Sequence, residues 1–83
     1  MSFMTIVEKK GMEEGLRQGI IQGRQDAILI LLNAKFQKPD KNVTELIRKI
    51  QSLEVLDRLL EKANFSSSLQ EFTESLEKEV KKL

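Results

Sequence analysis

From Ile6 onward apolar residues return every third or fourth position, the spacing that lines one side of an α-helix. Thr5-Ile6-Val7-Glu8 fits a capping box, in which the threonine oxygen and the Glu8 carboxylate satisfy backbone N–H groups left free at a helix start. The pattern then runs to about Phe36. Within it, "AILILL" at 27–32 has the length and β-propensity of a buried strand. It nevertheless continues the helical spacing, and no second strand candidate exists to pair with it. Pro39 ends the helix and "QKPDKN" is the linker. Asn42 to Glu45 offers a second cap, ahead of a short amphipathic helix built on Val43, Leu46, Ile47 and Ile50.

Ser52 caps the next helix, with Leu53, Leu56, Leu60 and Ala63 on one face and Val55 and Leu59 beside it. "NFSSS" breaks the chain again. Ser68-Leu69-Gln70-Glu71 is a third capping box, after which Leu69, Phe72, Leu76, Val80 and Leu83 form a narrow stripe. Glu74 with Lys78 and Glu77 with Lys81 stand in the favourable acid-first order, each pair worth about 0.2–0.5 kcal/mol, and read as a solvated face. Lys78, Lys81 and Lys82 suit the dipole at a helix carboxyl end and need no phosphate to explain them. The predicted class is all-α, with a long association helix in residues 1–37 and short leucine-rich helices in 38–83.

The first helix carries an unusual pattern. In "KKGMEEGLRQGIIQGRQDA" the chain's four glycines stand at Gly11, Gly15, Gly19 and Gly23, one every fourth residue. Each glycine costs an exposed helix about 0.8–1.0 kcal/mol relative to alanine, so something must offset the row. Val7 precedes it, and Ala27 and Leu31 extend it, which makes a shallow groove that widens into an apolar end. Met12, Leu16, Ile20 and Ile28 form an adjacent ridge interrupted by Arg24. Glu13, Glu14, Arg17, Gln18, Gln22, Gln25 and Asp26 take most of the remaining circumference.

A ridge beside a groove lets a second helix approach closely, and rows at four-residue spacing favour a crossing near about −50°. Such a row drifts about 40° per step, so the crossing is expected to centre on Gly15 and Gly19. A connector kept flexible by its glycines is the competing account. "AILILLNAKF" is apolar nearly all round, and three short helices are not expected to cover it. A second copy, joined by a two-fold contact, is the simplest cover. The expected interface comprises Gly11, Gly15, Leu16, Gly19, Ile20, Gly23, Ala27, Ile28 and Leu31 of a helical bundle formed by oligomerisation.

Composition narrows the chemistry. Eighty-three residues make one domain at most, and such a chain buries little apolar surface without a staple or partner. It has no cysteine and no histidine, which removes disulfides, imidazole and thiolate chemistry and the usual zinc ligands. One third of the residues are charged, yet the net charge is +1, so no global field favours nucleic acid or an acidic membrane. The longest apolar run falls well short of the roughly 18 residues that span a bilayer. No signal-peptide pattern opens the chain, and a cytoplasmic setting is the expectation.

The stretch "FMTIVEKKGMEEGLRQGIIQGRQDAILILLNAKF", followed by a proline turn, leucine-rich helices and "ANFSSSLQEF", resembles the carboxyl-terminal tail of recombination-promoting nucleases. These are bacterial transposase-like proteins whose catalytic part has the PD-(D/E)xK fold. The resemblance, over about residues 3–73, implies E-G repeats at four-residue spacing, an apolar helix ending in an Arg-Phe-Gly-like triplet, then leucine-rich helices. It also implies tails of full-length homologous nucleases as partners. Two departures stand out. The triplet is Lys35-Phe36-Gln37, so the glycine that would end the helix in a left-handed conformation is replaced, at about 1 kcal/mol if that geometry is kept. The nuclease domain has no counterpart in these residues.

Pro39-Asp40 with Glu79-Val80-Lys81, and Glu8-Lys9-Lys10, spell fragments of the nuclease motif. That chemistry needs acids on adjoining strands sharing a divalent metal, whereas Asp40 lies in a predicted turn and Glu79 on a predicted helix. With 13 acidic and 14 basic residues such matches arise by chance. A serine or threonine nucleophile would need lysine as its base, and none is set in such a frame. The glycines spell no phosphate loop. No catalytic, metal or cofactor site is therefore expected, and the chain is read as a non-enzyme.

Nucleic-acid binding is the rival. Helices near 43–51 and 53–64 could form a helix-turn-helix, but Gln51-Ser52 lacks a turn glycine, and Arg58 and Lys62 are balanced by Glu54, Asp57 and Glu61. A membrane-surface helix is disfavoured by the mixed charge of the first helix's polar side. The sequence points to a non-catalytic self-association module, a homodimer or higher oligomer.

Overall fold

The computed structural model describes residues 6–82, with side chains from Met12 onward. Thr5 and Glu8 of the first capping box, Val7, the surroundings of Gly11, and Leu83 lie outside that description. Four helices follow one another: α1 (Ile6–Lys35), α2 (Lys41–Lys49), α3 (Leu53–Phe65) and α4 (Leu69–Lys82). Among the described residues there is no strand, so "AILILL" belongs to α1.

Contacts run in a cycle from α1 to α3, α3 to α4, α4 to α2 and α2 back to α1. α2 returns along α1, because its last residues, Arg48 and Ile50, meet Gln25 and Asp26, while Pro39 and Thr44 lie beside Leu29, Ile30 and Asn33. α3 runs in the direction of α1, with Arg24 against Asp57 at one level and Lys35 against Ala63 and Ser66 at the next. α4 then descends on α3, and Glu79 comes level with Arg58. Consecutive helices α2 and α3 thus occupy a diagonal of the bundle.

Local chemistry sets the boundaries. Asp40, in extended backbone at φ −72° and ψ 173°, caps α2 by accepting the Val43 N–H at 2.9 Å. The cap sits two residues earlier than Asn42 because the chain can turn into a helix immediately after Pro39. Ser52 caps α3 as its sequence predicts, through Val55 N–H. In the third capping box Ser68 accepts from Glu71 N–H at 3.1 Å, and the Glu71 carboxylate reaches back to the N–H of Ser67 at 3.0 Å, one residue further than the usual arm. α1 ends without a left-handed residue, since no described non-glycine residue has positive φ, and Phe36 N–H closes on the Leu32 carbonyl at 2.9 Å. Gln37 at the position where the resemblance implies glycine carries no such cost here, because the left-handed geometry is not adopted.

The core joins Ile21, Ile28 and Leu32 of α1 to Val43, Ile47, Ile50, Val55, Leu56, Leu59, Ala63, Phe72 and Leu76. Each fully buried large side chain contributes about 1.5–3 kcal/mol relative to an exposed one. Leu29, Leu31 and Phe36 pack partly buried against this core, so the three short helices cover most of the block from Ala27 to Phe36, contrary to expectation. They manage it because α2 and α3 flank α1 and α4 closes the far side. Of that block only Ile30 is left as a large exposed hydrophobic residue.

Polar groups lock the arrangement. Gln25, expected on the solvent side, is buried, and its Nε2 donates to the carbonyls of Arg48 at 3.2 Å and Ile50 at 2.9 Å. Those are carbonyls that the end of α2 leaves without helical partners. Lys35 does the same for the end of α3, donating to the carbonyls of Ala63, Asn64 and Ser66. Glu79, beside the apolar stripe of α4, is buried against Arg58 at 3.2 Å. Neither Glu74–Lys78 nor Glu77–Lys81 is among the ion pairs, and three of the four pairs among the described residues tie one helix to another.

Candidate functional site

At about 100° per residue, Ile21, Gln25 and Leu32 fall within about 60° of Ile28 on the α1 circumference, and that sector faces the core. Gly19 lies about 180° from Ile28. The glycine row and the ridge beside it therefore point away from the body of the bundle. A Cβ placed on Gly15, Gly19 or Gly23 would meet nothing within 4 Å, so no close approach by the described residues explains these glycines.

The expected interface residues separate into two groups. Leu16 and Ile20, joined by Met12 of the ridge, which is not among the expected interface residues, are 61%, 50% and 56% exposed, large apolar side chains at four-residue spacing on the outer side. With Gly15, Gly19 and Gly23 they form one continuous surface, low on one side and raised on the other. Ala27 is partly buried at its end. Ile28 lies wholly inside this chain's own core, and Leu31 is partly buried against it. Sequence reasoning placed Ile28 on the ridge because both rows pass close to it. The missing signal was Ile21, whose spacing of seven from Ile28 and eleven from Leu32 marks a second apolar face.

Every residue from Met12 to Ile20 is exposed, and Arg17 and Gln18 already border clefts shared with Lys49 and Gln51 at the junction of α2 and α3. The 30-residue helix is about 45 Å long at 1.5 Å per residue, and the molecule measures 52 × 26 × 21 Å. Flanking the ridge are Glu13, Arg17 and Arg24, and the last bonds Asp57 through Nε at 2.9 Å. On the glycine side lies Asp26, held at 2.7 Å by Arg48. An apolar strip with charges at its margins can bind another apolar helix; it offers no nucleophile and no acid–base pair.

Residues considered for other chemistry have structural partners. Asp40 caps α2 and Glu79 pairs with Arg58. Arg58 is thereby turned toward α4, and α2 and α3 sit diagonally, without the close mutual packing of a helix-turn-helix. No helix among the described residues is long and apolar enough to cross a membrane. No family model matches the chain, and neither a curated protein nor a solved structure does.

Proposed function

We propose that this chain is a self-association module that acts by helix packing through the outer face of α1. One observation carries the reading: Met12, Leu16 and Ile20 stand exposed beside a glycine row that its own chain leaves open. Four glycines in a soluble helix cost on the order of 3–4 kcal/mol relative to alanine, and close approach of a second helix offsets such a loss by burying the ridge. The rest of the bundle serves as the body that holds α1 straight and covers its other side.

The resemblance to nuclease tails gives the association a purpose. Joined to a catalytic domain, such a tail would bring subunits together, and a separately made tail would mix with full-length subunits and alter their activity. Sedimentation equilibrium over a wide concentration range tests the association, on this chain and on a Gly15→Leu, Gly19→Leu variant. Oligomers that dissociate in the variant support the reading, and a folded monomer in both removes it. A small DNA-binding protein, the alternative function, would instead show salt-dependent retention of duplex DNA. Co-purification with a full-length homologous nuclease tests the purpose separately.

A further inference from the structure

We propose that the corner between α3 and α4 contains a small cation site built of backbone carbonyls, which this chain fills with the tethered ammonium of its own Lys35. The ligand class is a primary ammonium group or a potassium ion. It does not depend on association through α1.

The site arises where α3 stops. The last carbonyls of a helix have no donor within it. Here the N–H and Oγ of Ser66 both donate to the Lys62 carbonyl, and Ser66 leaves the helix in extended backbone at φ −69° and ψ 141°. The N–H of Ser67, next in line for Ala63, donates instead to the Glu71 carboxylate and serves the start of α4. The break that begins α4 thus leaves the carbonyls of Ala63, Asn64 and Ser66 to be satisfied by a side chain. Ala63 and Ser66 are buried, so water is a poor substitute.

One atom satisfies all three. Lys35 Nζ stands 2.9 Å from the Ala63 oxygen, 3.1 Å from that of Ser66 and in close contact with that of Asn64. An ammonium group has three N–H donors and no acceptor, so three oxygens use its full capacity. The Phe36 ring adds an aromatic face, its centroid 5.1 Å from the same nitrogen. Carbonyl oxygens converging on one point can replace the hydration shell of a small cation. None of the ion pairs among the described residues includes Lys35, so the charge is held by dipoles and a ring.

A free cation of similar size meets the same field. What Lys35 adds is a tether, which keeps the ion at a high local concentration. The natural chain therefore carries its own cation, and losing the charge at this position makes the corner depend on the ions around it.

Lys35→Met removes the ammonium and keeps most of the apolar stem. Urea midpoints of parent and variant are compared in the chlorides of ammonium, potassium, sodium and tetramethylammonium at one high ionic strength. Each variant is read against the parent in the same salt. The expected result is a deficit for Lys35→Met that is largest in tetramethylammonium, which is bulky and has no N–H, and at most half as large in ammonium or potassium. The carbonyl carbon resonances of Ala63 and Ser66 should shift as ammonium is added to the variant and stay in place in the parent. A deficit equal in all four salts overturns the cation site and leaves Lys35 as a hydrogen-bonding tether. No deficit in any salt overturns it as well, since the carbonyls then need no cation. Should Lys35→Met be unfolded in tetramethylammonium chloride, return of the helical circular dichroism in ammonium chloride supports the site, and failure to return overturns it.

Discussion

Gln25 Nε2 donates to the carbonyl of Ile50 at 2.9 Å, so a buried amide of α1 finishes the end of α2. The same nitrogen reaches the Arg48 carbonyl, and Arg48 in turn donates to Gln25 Oε1 at 3.4 Å and pairs with Asp26. Replacing Gln25 by leucine preserves bulk but strands those carbonyls. The expected loss is about 1–3 kcal/mol, seen as a lower urea midpoint with an unchanged slope. Gln25→Glu is expected to be worse, since it directs a negative charge at carbonyl oxygens. An unshifted midpoint for Gln25→Leu would mean the amide contributes no more than its volume.

The open space around the glycines separates two energies that have opposite signs. Gly19→Ala adds a Cβ that meets none of the described residues of its own chain, so at high dilution the variant should be more stable by about 1 kcal/mol and unfold at a higher temperature. At high concentration the same methyl stands in the proposed contact and should weaken the dimer. Thermal melts at two concentrations a hundredfold or so apart check this: the order of parent and variant is expected to reverse.

Ion pairs should differ in worth according to burial. Glu79 is 11% exposed at its side chain where it meets Arg58, whereas Arg24 and Asp57 are about half exposed. Arg58→Ala leaves a nearly buried carboxylate without its partner and should cost about 1–3 kcal/mol. Arg24→Ala should cost the folded monomer no more than about 1 kcal/mol. Chemical denaturation of the two variants side by side gives the comparison, and equal losses would show that burial at Glu79 is unimportant.

Phe72 is fully buried at the crossing of α4 with the rest of the bundle. Phe72→Ala should cost about 3–5 kcal/mol, a large share of the stability of so small a domain. The outer face of α1 takes no part in that loss. Circular dichroism should therefore show an unfolded or partly folded body for Phe72→Ala, while conservative exposed changes such as Glu13→Gln leave the spectrum as it is.

Helix number and most boundaries were legible in the sequence because they rest on local chemistry. Ser52 and Ser68 precede their helices and cap them, and Pro39 marks the end of the first turn region. The side of α1 that turns inward was not legible. Both Leu16 with Ile20 and Ile21 with Ile28 recur at helical spacing, and the choice between them rests on the side of α1 from which α2 and α3 pack, a tertiary feature. Gln25 looked like solvent surface because glutamine is polar; its burial depends on the end of another helix, 23 to 25 residues away, offering carbonyls. Gly15, Gly19 and Gly23 were legible as a row, but the sequence alone left open whether the chain would fill it itself.

The two faces of α1 differ in when they come into being during synthesis. The inner face, with Ile21, Ile28 and Leu32, stays uncovered until α3 and α4 have left the ribosome. The outer strip from Met12 to Ala27 is complete before α2 has been translated. If these strips pair as proposed, neighbouring nascent chains on one message would present them before either body has formed. Partner choice would then favour products of the same transcript over chains drawn from the general pool.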